Sequence, residues 1–100
     1  MPQQKTSEKT KDRTKYKMPK LYKVIMFNDD ITTMDFVVMI LEKIFHKKQA
    51  EAEKIMLDVH NNGQAVVGIY SFDMAKTKVG QATMMAQDNG YPLRLVYQPE

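Results

Sequence analysis

Asn28-Asp29-Asp30 is the densest run of side chains able to do chemistry in this chain. Two carboxylates and an amide in succession offer acceptors for a cation. An ammonium group presents three donors, so an acceptor trio suits it. A metal ion would want further oxygen or nitrogen ligands, and Mg²⁺ typically adds phosphate and water. From these residues alone an ordinary turn is the plainer reading, because short polar side chains bond their own backbone. His60 follows an apolar stripe at a helix end, where positive charge suits the helix dipole. No glycine-rich phosphate loop, HExxH pair or nucleophile elbow is present, and the two histidines, His46 and His60, are not spaced as a metal pair. No enzyme activity, cofactor or metal is expected.

The elements that must position these residues follow from periodicity. Leu21–Phe27 is rich in β-branched and aromatic residues and predicts a strand that stops at the acidic turn. Thr32 or Thr33 can cap the next helix, and Thr32 with Asp35 resembles a capping box. Val37, Ile40, Leu41, Ile44 and Phe45 recur at helical spacing, and His46-Lys47-Lys48 closes that helix with charge suited to its dipole. A second helix is predicted over Gln49–His60, with Ala52, Ile55, Met56 and Val59 on one face and Asn61-Asn62-Gly63 ending it. Gln64–Tyr70 reads as a strand with Gly68 at a bulge or close contact. Ser71 caps a third helix whose inward stripe is Ala75, Val79, Ala82, Met85 and Ala86. Leu93–Tyr97 is the last strand. The order β-α-α-β-α-β predicts an α+β fold, a two-layer α/β sandwich. Its three-stranded, mainly antiparallel sheet carries three helices on one face. Strand order does not follow from pattern alone.

The 100 residues carry a formal charge of +3, with 15 basic groups against 12 acidic. That sum hides a division. Residues 1–20 hold seven basic groups and two acids, a balance of +5, which leaves −2 for residues 21–100. The first twenty residues have almost no large aliphatics, so they are expected to form a flexible basic extension ahead of one domain, residues 21–100. The chain has no cysteine and no apolar run near the roughly 20 residues that span a bilayer. The basic N-terminus lacks the apolar segment of a secretory signal. A soluble cytoplasmic protein is the expectation. Of nine methionines seven lie beyond residue 20, more than core packing needs. Methionine suits pockets that accept several apolar shapes.

Taken together, these residues resemble a known family. Tyr22-Lys-Val-Ile-Met-Phe-Asn-Asp-Asp-Ile-Thr-Thr-Met-Asp-Phe-Val37, Met56-Leu-Asp-Val-His60, Gly63 with Gly68, Ala75-Lys-Thr-Lys-Val79 and Tyr91-Pro-Leu93 are similar to ClpS adaptors of the bacterial Clp ATP-dependent protease. The resemblance implies capture of substrates that begin with Leu, Phe, Tyr or Trp, the N-degrons of the N-end rule. It also implies their delivery to a ClpA-like or ClpC-like AAA+ unfoldase. By position it implies that Asn28, Asp29 and His60 hold the free α-amino group, while Asp30 and Thr32 support the turn and the first peptide bonds. Met34, Val37, Met56, Val59 and Leu93 would line the apolar pocket, with Ile31 nearby. Met34 would be a gate that crowds β-branched Ile and Val. Lys76 and Lys78 would dock the unfoldase, although both also read as ordinary solvated helix residues. Thr33 stands where the family commonly has Pro, and Lys76 where it often has an acid. The basic extension becomes a handover segment needed for delivery. No nucleic acid or membrane partner is implied, and the chain is expected to act as a monomer.

Two other readings compete. A nucleic-acid-associated module using the Lys-rich extension predicts binding that falls steeply with salt. A metal-dependent hydrolase built on Asp29, Asp30 and His60 predicts divalent-metal binding and turnover.

Overall fold

The computed structural model describes residues 18–100, so the expectation for the basic extension lies mostly outside the described residues. Strand β1 is Leu21–Phe27, helix α1 Met34–Lys43, helix α2 Gln49–Asn62, strand β2 Gln64–Ser71, helix α3 Phe72–Asp88 and strand β3 Arg94–Pro99. The expected order β-α-α-β-α-β is present, and the sheet order is β2-β1-β3 with both pairings antiparallel. The strand that ends in the acidic turn is therefore the central one. Its residues alternate between faces. Val24 and Met26 join the core of helix residues that includes Ile40, Leu41, Ile55 and Ala82, whereas Ile25 between them stays outside that cluster.

The β1–β2 register shifts between Val24, opposite Gly68, and Ile25, opposite Val66, so Val67 is the extra residue. The bulge thus falls one position before Gly68. Gly68 itself is the close contact, because a Cβ there would meet the Tyr70 Oη at 2.7 Å.

Helix α1 is capped by one of the two expected threonines but lacks the expected capping box and ends earlier than expected. Its cap is Thr33, whose Oγ1 accepts the Phe36 N–H at 3.2 Å. Thr32 is engaged by Asp29, so no capping box forms with Asp35. The helix stops at Lys43, and His46 adopts a positive φ of 58°, well before the expected basic closure. The consecutive side chains Ile44 and Phe45 are both buried, and the chain leaves the helix as it brings them into the core. Helix α2 ends at Gly63, whose φ of 86° is the left-handed conformation that glycine adopts without strain. Ser71 caps α3 by accepting from the Met74 N–H at 3.3 Å. Ala75, Ala82 and Ala86 are fully buried on the inward stripe of α3, and their small size lets the helix lie close to the sheet.

Lys78 shares that inward face, contrary to its reading as a solvated docking residue. Only 7% of it is exposed, its ammonium donates to the Ile44 carbonyl at 2.8 Å, and it stands 5.7 Å from the centroid of the Tyr70 ring. The carbonyl belongs to the end of α1, where positive charge complements the dipole. Lys78 therefore pins the α1–α2 corner to α3. Lys78→Ala is expected to lose about 2 kcal/mol, the scale of a charge-assisted hydrogen bond. Thermal melts should read that as a Tm lower by about 8–16 °C.

Candidate functional site

The site begins where β1 ends. The Asn28 N–H donates to the Gly63 carbonyl at 2.9 Å, which ties the acidic turn to the end of α2. His60 lies three residues before Gly63, so this one backbone bond puts Asn28 and His60 on the same rim. Gly63 is thus part of the site's framework. The sequence marks it only as a helix stop, because a carbonyl's partner across the fold leaves no trace in local pattern.

Asp29 organises the turn. Its Oδ1 accepts the backbone N–H of Ile31 at 2.8 Å and of Thr32 at 2.7 Å, and its Oδ2 accepts the Thr32 hydroxyl at 2.8 Å. Partial burial pushes the carboxyl's pKa up, but the bonds from Thr32 and Ile31 outweigh it, and the net shift is below the ordinary 3.8. A carboxylate offers about four lone-pair sites, so Oδ2 retains capacity for another donor. Among the described residues the side chains of Asn28, Asp30 and His60 make no hydrogen bond, and all three are exposed.

The lowered pKa makes a stability prediction. Ionised Asp29 favours the folded state, so its contribution is complete above 3.8 and is lost as pH falls through the lowered folded value. Urea melts from about pH 5 to pH 3 should show a steeper stability loss for the native chain than for Asp29→Asn.

The two helices supply the rest of the lining. Met34 and Val37 are three apart at the start of α1, and Met56, Val59 and His60 share one face of α2. These five side chains, with Asn28, Asp29, Asp30 and Thr32, line a cavity of about 250 Å³. Val37 and Val59 form its buried floor, at 7% and 3% exposed. Met34 stands at the mouth, 44% exposed, and Met56 is half-buried. Acceptors and apolar groups therefore line the same cavity.

Two residues expected at or near the pocket do not line it. Ile31 projects from the turn, 64% exposed, and Leu93 packs into the core at 5%. Lys76 is exposed on α3, 5.9 Å from the Phe72 ring centroid, while Lys78 is buried as described above. Among the described residues no three His, Cys, Asp or Glu side chains are grouped to hold a metal ion. Nor is any described helix long and apolar enough to cross a membrane.

Fold and cavity define a small α+β binding module that can read a cation beside an apolar side chain. The sequence matches the model of the family described as ATP-dependent Clp protease adaptor protein ClpS over residues 17–96. It is 50% identical over 97 residues to the ATP-dependent Clp protease adapter protein ClpS of Acetivibrio thermocellus, covering 97% of this chain and 98% of that protein. Against the ClpS of Deinococcus radiodurans the identity is 53% over 91 residues, covering 91% of this chain and 80% of that one. The chain belongs to the ClpS family of Clp protease adaptors, which are named as adaptors and not as enzymes. Among solved structures it is similar to ClpS2 of Agrobacterium tumefaciens bound to L-phenylalaninamide. The TM-score there is 0.80 and the identity 37%, with 83% of this chain and 100% of that one covered.

Proposed function

We propose that this chain captures proteins by a free N-terminal Leu, Phe, Tyr or Trp and delivers them to a ClpA-like or ClpC-like unfoldase for degradation. What supports the reading most is that one cavity is lined both by the acceptors Asn28, Asp29 and His60 and by the apolar Met34, Val37, Met56 and Val59. Phenylalaninamide, the ligand of the Agrobacterium relative, has the matching pair of groups: a free α-amino group beside a benzyl side chain.

An α-amino group with a pKa of about 7.7–8.0 is mostly charged at neutral pH. Its three N–H bonds match Asp29 and two further acceptors, Asn28 and His60. An internal residue presents an uncharged amide with at most one N–H there and leaves acceptors of the cluster without the donors an ammonium brings, at a cost of about 1–3 kcal/mol. The side chain adds about 1.5–3 kcal/mol by burial. These contributions stay below the roughly 8 kcal/mol of micromolar binding, so the expected affinity is micromolar or weaker. Titrating the chain with a Phe-initiated peptide, free and N-acetylated, tests the recognition step.

Residues 1–20, with their +5 balance, are assigned to handover. In an assay with the unfoldase and its protease, a chain lacking residues 1–20 should still bind a Phe-initiated reporter while its degradation stops. Unchanged degradation would remove that role.

A further inference from the structure

We infer that Met34 is an oxidation site through which peroxide switches the apolar pocket off, an inference that rests on the recognition proposed above. Two of the four apolar side chains lining the cavity, Met34 and Met56, are thioethers. They differ in access. Met34 is 44% exposed at the mouth, Met56 is half-buried beneath it, and Met26 in the core is fully buried. Oxidant reaches a methionine in proportion to exposure, so Met34 reacts first of the two.

The step is a two-electron oxygen transfer. A sulfur lone pair of Met34 attacks one oxygen of hydrogen peroxide and the O–O bond breaks. The transferred oxygen stays on sulfur as the sulfoxide, and the other leaves as water after proton transfer. The product is polar and chiral in place of a flexible apolar group. At Met34 it sets a strong acceptor among the apolar groups of the cavity, where a hydrophobic side chain offers no donor. Binding is lost for want of a partner, and the fold, whose core excludes Met34, remains. Sulfoxide reductases reverse the change.

Occupancy should in turn shield the sulfur. Met84, at 65% exposed, and Met74, at 48%, lie outside the cavity and serve as internal references. The test treats the full chain with hydrogen peroxide, with and without a saturating Phe-initiated peptide, and follows each methionine by peptide mass mapping. Expected are oxidation of Met34 well ahead of Met26, protection of Met34 but not Met84 by peptide, and at least tenfold weaker peptide binding once Met34 is oxidised. Methionine sulfoxide reductase should restore binding. Met34→Leu, which keeps the exposed Met74 and Met84, should lose no more than twofold relative to its own untreated affinity under the exposure that fully oxidises Met34 in the native chain. An untreated chain that ignores the peptide overturns the recognition reading and this inference with it. An untreated chain that binds, with a stoichiometric Met34 sulfoxide form that binds equally, overturns the inference alone. So does a Met34→Leu chain that loses binding as fully as the native one.

Discussion

Asp29→Ala is expected to abolish capture of a Phe-initiated peptide, with a smaller effect on the fold. The carboxylate has two tasks: its oxygens accept three bonds that shape the turn, and its charge meets the incoming ammonium. Truncating one partner of a hydrogen-bonded charge pair that the bound peptide buries costs about 2–5 kcal/mol, which is about thirty- to several-thousand-fold in affinity. His60→Ala separates the two tasks. Its side chain bonds nothing else among the described residues and is exposed, so only the amine contact is lost. Isothermal titration with both variants, beside thermal melts, should show affinity lost in each and Tm lowered in Asp29→Ala alone. Native affinity in His60→Ala would remove the histidine from amine recognition.

Met34→Ala is expected to widen the range of accepted side chains. Met34 stands at the mouth of a cavity of about 250 Å³, above the buried floor of Val37 and Val59. An Ile or Val ligand carries its second branch on Cβ, close to the backbone, where Met34 is expected to crowd it. Removing the thioether relieves that clash and should raise affinity for Ile- and Val-initiated peptides about tenfold or more, equivalent to about 1.4 kcal/mol. Leu- and Phe-initiated peptides lose packing against the missing side chain and should bind somewhat more weakly. Fluorescent Ile-, Val-, Leu- and Phe-initiated peptides titrated against both chains measure the ratio. An unchanged ratio would end the gating idea.

The sheet and helices were legible because their patterns are local. β-Branched runs marked the strands, and the 3.6-residue recurrence of Val37, Ile40, Leu41 and Ile44 marked α1. Strand order was not legible, since antiparallel partners on either side of β1 leave the same alternation. The end of α1 was misplaced because burial of Ile44 and Phe45 overrides the helix-closing charge of His46-Lys47-Lys48. Thr32 and Thr33 looked equivalent as caps until Asp29 claimed Thr32.

The site was legible in part, and its errors are instructive. Asn28, Asp29 and His60 converge on one cavity. Their convergence depends on the Asn28–Gly63 backbone bond, which is invisible in one dimension. Leu93 carries the right chemistry for a pocket but is buried in the core, and Ile31, within the turn, is largely exposed. Lys78 shows the converse. A lysine on a helix reads as solvated by type, yet the small residues of α3 draw its stem inward and the Ile44 carbonyl satisfies its charge.

The claim at the centre of this account is that the acidic rim reads a free α-amino group. Fluorescence anisotropy at neutral pH, with one Phe-initiated peptide in free and N-acetylated forms, tests it most directly. Saturable binding, micromolar or weaker, is expected for the free amine. Acetylation is expected to cost at least thirtyfold, equivalent to about 2 kcal/mol. Equal affinity for the two peptides would contradict it.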